Sequence, residues 1–86
     1  MEMRVAVMGI IVEETNSVET LNALLHEYGA YIIGRMGIPY RAKGINIISL
    51  AIDAPQDVIS ALAGRIGNIP GISVKTAFSN VTGKDA

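Results

Sequence analysis

The chain states one structural pattern twice. An aliphatic run over residues 5–12, a helical spacing at Val18, Leu21 and Leu25, and a second run over residues 31–38 read as strand, helix, strand. The same order returns as residues 45–52, then Ile59, Leu62 and Ile66, then residues 72–78. A shift of 40 positions places Val5 on Ile45, Val7 on Ile47, Ile10 on Leu50 and Glu13 on Asp53. A shift of 41 places Val18 on Ile59, Leu21 on Leu62, Leu25 on Ile66 and Tyr28 on Ile69. Two βαβ units with right-handed crossovers predict an α+β domain, βαββαβ, with a four-stranded antiparallel sheet in the order 4-1-3-2 and both helices on one face.

That order makes strands one and three central, which suits runs that are apolar on both faces. It also leaves the second face of the sheet bare. Half of the 86 residues are hydrophobic and 17% are charged, against about a quarter charged in ordinary soluble domains. The aliphatic excess on the bare face makes a patch too large for a stable monomer surface, so association of identical chains, as a homodimer or homotetramer, is the sharpest physical expectation. Residues 1–79 form the domain in this reading, and residues 80–86 a flexible tail.

Local signals set the element ends. Asn16, with Glu19 three residues on, has the spacing of a capping box for the first helix, and Gly29 can end it in the left-handed conformation. Gly34 and Gly37 interrupt the second strand, with Arg35 between them; glycine there marks a bulge or a close backbone approach, and a mid-strand charge suits an edge. Pro39 closes that strand and residues 40–44 turn the chain back. Pro55 opens the second helix, whose body is weakened by Gly64.

Reactive chemistry is sparse. The absence of cysteine excludes a disulfide framework, a thiolate metal site and a cysteine nucleophile, and suits a cytoplasmic location. Neither a signal peptide nor a membrane-spanning run is legible. His26 is the single histidine and, near a helix end, reads as a surface residue; no metal site or cofactor is expected. Glu13 and Glu14 precede a helix, where acids favour its positive end, and no second carboxylate cluster converges with them. No nucleophile triad, phosphate loop or metalloprotease motif is present, so the chain reads as a non-enzyme with no catalytic residues, an enzyme with a shared interface site being a further alternative.

The formal net charge of −1 argues against a broad nucleic-acid surface, and the central strands lack the aromatic residues that stack RNA bases. The exception is Arg35, Arg41 and Lys43, which fall together with no acid between them. A nucleic-acid-binding oligomer using the basic 35–43 hairpin is therefore the alternative reading.

The segment Tyr31-Ile32-Ile33-Gly34-Arg35-Met36-Gly37-Ile38-Pro39-Tyr40-Arg41 is distinctive. Together with Val7-Met8-Gly9-Ile10, Asp53-Ala54-Pro55 and Pro70-Gly71-Ile72-Ser73-Val74-Lys75-Thr76-Ala77, it resembles the iron-only hydrogenase system regulator family, a likeness that covers almost the whole chain. The resemblance implies a small ACT-like, ferredoxin-like module associated with genes of iron-only hydrogenase assembly. The family is also similar to the carboxy-terminal regulatory domain of the nickel-responsive repressor, which forms a tetramer. That repressor holds nickel through histidines and a cysteine, whereas this chain has one histidine and no cysteine.

These readings together predict a regulatory, ligand-sensing oligomer of the transcriptional-regulator type, with an unidentified small ligand or partner protein at the subunit boundary. Gly34, Met36 and Gly37 are the expected interface residues, because glycine permits close backbone approach. Arg35, Tyr40 and Arg41 are the candidates for holding an anionic group.

Overall fold

Two aliphatic strands form the middle of the sheet. The computed structural model describes residues 2–82, with strand β1 (Met3–Val12), helix α1 (Val18–Glu27), strands β2 (Ile32–Tyr40) and β3 (Ile45–Pro55), helix α2 (Gln56–Gly67) and strand β4 (Ile72–Thr82). All strand pairings are antiparallel, in the order β2-β3-β1-β4, which is the expected 4-1-3-2 read from the other edge. This is the ferredoxin-like α+β arrangement.

Burial alternates along the central strands as period-two geometry requires. Ala6, Met8, Ile10 and Val12 of β1 and Ile48, Leu50, Ile52 and Ala54 of β3 point into the core. Leu21, Leu24 and Leu25 of α1 and Ile59, Leu62 and Ile66 of α2 close over them. Gly64 costs α2 about 1 kcal/mol against alanine, whereas each fully buried Ile or Leu contributes roughly 1.5–3 kcal/mol. Packing prevails, and α2 runs unbroken through Gly64.

Several boundaries differ from the sequence reading. Asn16 lies inside a short 3-10 turn, Thr15–Ser17; Ser17 occupies the cap position of α1, and no side-chain cap bond forms. The capping box is therefore not made. Instead the buried Ser17 hydroxyl donates to the Pro70 carbonyl at 2.6 Å, so a long-range bond displaced the local one. Gly29 starts a second 3-10 turn, Gly29–Tyr31, without the left-handed conformation; among the described residues only Gly44 and Gly71 have positive φ, at 65° and 75°.

Pro39 sits inside β2 rather than closing it, as an edge strand allows. The register of β2 shifts between Ile32 and Gly34, where glycine marked an irregularity. Pro55 is the residue before α2 rather than its first member. β4 continues past Ser79 to Thr82, which pairs with Arg4; positions 83–86 of the expected tail lie outside the described residues.

Candidate functional site

The sheet has one covered and one open face. Register places Val5, Val7, Gly9 and Ile11 of β1 on the open face, with Ile47, Ser49 and Ala51 of β3 beside them and Gly34, Met36, Ile38 and Tyr40 of β2 at the edge. Val7 is 46% exposed, Met36 59% and Ile38 48%. Large aliphatic side chains held this far in water on one contiguous surface are what the strand patterning implied. Among the described strand residues the charges on that face are Lys75, on β4 opposite Gly9, and Asp53, on β3 opposite Val5. Two shallow hollows open there because small residues leave space: about 290 Å³ around Gly9, Ile11, Ile47 and Lys75, and about 280 Å³ around Val7, Gly34, Met36, Ser49 and Ala51.

The structure divides the candidate residues between two faces. Gly34 and Met36 lie on the open face, opposite Ala51 and Ser49, and Tyr40 follows them opposite Ile45. Gly37 and Arg35 lie on the helix side, opposite Ile48 and Leu50. Arg35 Nη2 donates to Asn22 Oδ1 of α1 at 2.9 Å, tying the edge strand to the helix layer. Arg41 falls in the 3-10 turn Arg41–Lys43, closed by Gly44 in the left-handed conformation. Arg35 and Tyr40 therefore point to opposite sides of β2, and Arg41 and Lys43 share the hairpin tip without Arg35.

Three polar groupings escaped the sequence reading. Arg4, on the helix side at the far end of β1, stacks its guanidinium over Phe78 at 4.6 Å, donates to the Ser79 carbonyl at 3.0 Å and also reaches Gln56. Arg65 of α2 pairs with Glu27 of α1 at 2.6 Å and donates to the Tyr28 hydroxyl at 3.3 Å, its guanidinium lying 5.6 Å from that ring. The hydrogen bond from Arg65 and its charge hold the Glu27 carboxyl below the usual glutamate range, and the same bond raises Arg65. Asn22 is the third, as the partner of Arg35. Each depends on contacts 13 or more residues apart, with no local spacing to announce them.

His26 is exposed on the last turn of α1, and its neighbour Glu27 is engaged by Arg65. Among the described residues no three His, Asp or Glu side chains gather where they could hold a metal ion, and no helix is long and apolar enough to cross a membrane. Glu13 and Glu14 pack on the turn before β4, where the Glu13 amide donates to the Gly71 carbonyl at 2.7 Å.

Comparison with known proteins gives a family and a fold. The model of the TM1266-like family, described as "Iron-only hydrogenase system regulator, putative", matches residues 4–76. The solved structure of an uncharacterized protein, TM1266, from Thermotoga maritima superposes with a TM-score of 0.85 and 34% sequence identity, covering 88% of this chain and 96% of that one. A formyltetrahydrofolate deformylase from Pseudomonas putida KT2440 superposes with a TM-score of 0.64 at 16% identity, covering 90% of this chain but 29% of that one, and so shares the fold alone. No protein of curated function matches the chain. With the sheet order, the helix placement and the Gly-Arg-Met-Gly-Ile-Pro-Tyr strand all in place, the chain belongs to the TM1266-like family.

Proposed function

We propose that this chain is a cytoplasmic, non-enzymatic regulatory module of the transcriptional-regulator type, acting as an assembly of identical subunits joined through the open sheet face. The observation that carries the proposal is the row of exposed Val5, Val7, Ile11, Met36, Ile38 and Ile47 on that single face. An aliphatic surface of this continuity is stabilised by burial against a like surface, and a two-fold contact needs one self-complementary patch. Gly34, Gly9 and Ser49 let two backbones approach closely at the middle of the patch. A ligand or partner protein that favours one assembly state over another shifts the population by its differential affinity, which is a regulatory output without a reaction.

Sedimentation equilibrium of the full chain tests the proposal. The expected result is a dimer or tetramer that Val7→Glu or Ile47→Glu converts to a monomer with an unchanged circular dichroism spectrum. A wild-type chain that stays monomeric at its highest soluble concentration overturns it. The hairpin tip offers Arg41 and Lys43 but not Arg35, which faces Asn22; a gel shift at low salt distinguishes a nucleic-acid role from the one proposed.

A further inference from the structure

We propose that the hollow between α1 and β2 is a binding site for a small monocarboxylate with a short aliphatic body, complete within one subunit. The site deepens the ligand-sensing reading above and rests on it only for what binding would signal. The hollow, of about 220 Å³, exists because Gly37 occupies a helix-side position of β2 and contributes no side chain. A Cβ added there would meet nothing within 4 Å. The core residue Ile48, the half-buried Val18 and the ring of Pro39 give it an apolar lining, and Asn22, Arg35 and Asn46 supply its polar groups.

The donor set selects the ligand class. Arg35 uses one Nη2 hydrogen on Asn22, out of the five donors a guanidinium carries. The bond also orients Asn22 so that its side-chain N–H groups remain for a ligand. A carboxylate matches a guanidinium fork in shape and charge, and one cation balances one negative charge. Phosphate, with more charge and no apolar body, leaves the Ile48 and Val18 surface unused. No carboxylate lines the hollow to balance an ammonium group, so an α-amino acid is a poorer fit than the acid that lacks the amine. The volume is below the usual range for drug-sized ligands, roughly 300–1,000 Å³, which limits the body to a few carbons.

The test follows the amide resonances of the full chain by NMR during titration with isovalerate, with its neutral amide, with valine and with inorganic phosphate. Isovalerate is expected to shift Asn22, Gly37, Asn46 and Ile48 saturably, with the other three compounds weaker by about tenfold or more. Gly37→Val is expected to abolish the shifts while leaving the unfolding midpoint in place, because the side chain fills open space. Arg35→Lys, which keeps the charge and loses the fork, is expected to weaken binding several-fold. Equal response to phosphate, equal response to valine, shifts confined to the open face, or undiminished binding by Gly37→Val would each overturn the proposal. Subunit mass measured on the same samples separates the two readings. Absence of binding by an intact assembly removes the site alone, while binding by a strictly monomeric chain removes only the assembly.

Discussion

Gly9 and Ser49 face each other directly across the β1–β3 ladder, and they are also counterparts in the internal repeat, since 49 is 9 plus the shift of 40. The approximate two-fold axis that relates the two halves therefore passes between them. The outer ladders follow it at one end only. Val12 opposite Ile72 becomes Ile52 opposite Ile32 under the same shift, but past the register shift of β2 the match is one residue out, Gly9 opposite Lys75 answering to Ser49 opposite Met36 rather than Arg35. The axis emerges on the open face, where one residue has no side chain and the other a small one. The repeat thus places the flattest part of the sheet at its centre, with Val7, Ile11 and Ile47 around it.

Gly9→Leu probes that centre. An added Cβ meets nothing within 4 Å in one subunit, so the unfolding free energy at low concentration should change by less than about 1 kcal/mol. Between packed subunits the same side chain overfills the contact. Sedimentation is expected to show weaker association with an unaltered monomer fold. Unchanged assembly would place the contact away from Gly9.

Ser17 and Asn16 separate a long-range role from a local one. Ser17→Ala leaves the Pro70 carbonyl without its buried donor, a loss of about 1–3 kcal/mol by the usual cost of an unsatisfied group. Asn16→Ala should change stability by less than about 0.5 kcal/mol, because no cap bond depends on it. Urea unfolding of the two variants checks both. Equal losses would restore the capping role to Asn16.

The contrast shows what kinds of contact a sequence reveals. Strand order, the two-faced central strands and the edge position of Arg35 were legible because period-two and helical periodicities act within a few residues. The open apolar face followed from the same patterning. The partners of Ser17, Arg35, Arg4 and Arg65 were not legible. Each is chosen by which turn or helix the crossovers bring alongside, and Asn or Ser at such a place resembles any other polar surface residue. The division of Arg35 and Tyr40 between two faces follows from period-two alternation, with no register shift between them; it was hidden because Pro39 read as the end of the strand, which put Tyr40 in the turn.

The Glu27–Arg65 pair predicts a pH dependence of definite sign. The folded-state pKa of Glu27 is lowered, so the folded chain holds this proton less tightly than the unfolded one. Its contribution is present above the ordinary glutamate value of about 4.3 and is lost as pH falls through the lower folded-state value. Both groups are exposed, which keeps the contribution small and sensitive to salt. Comparing unfolding of wild type and Glu27→Gln over the acid range should show a gap at neutral pH and low salt that closes toward acid. A gap that persists below the folded-state titration would show that packing of the side chain, not its charge, matters.

Gly71 is held by two independent constraints, and they can be measured separately. Its φ of 75° disfavours any residue with a side chain. A Cβ there would also lie 2.6 Å from Glu14 Cγ and 2.8 Å from Glu14 Cβ. The Gly71 carbonyl accepts from the Glu13 amide, so the turn cannot withdraw without breaking the link between the first loop and β4. Gly71→Ala is therefore expected to destabilise by about 1–3 kcal/mol, the usual cost of a strained backbone position. Trimming the neighbour to Glu14→Ala removes the Cγ clash while leaving the Cβ contact and the φ requirement. The double variant should accordingly recover part of the loss and not all of it, in a double-mutant cycle read by urea unfolding. Full recovery would assign the whole requirement to the clash, and no recovery would assign it to backbone conformation alone.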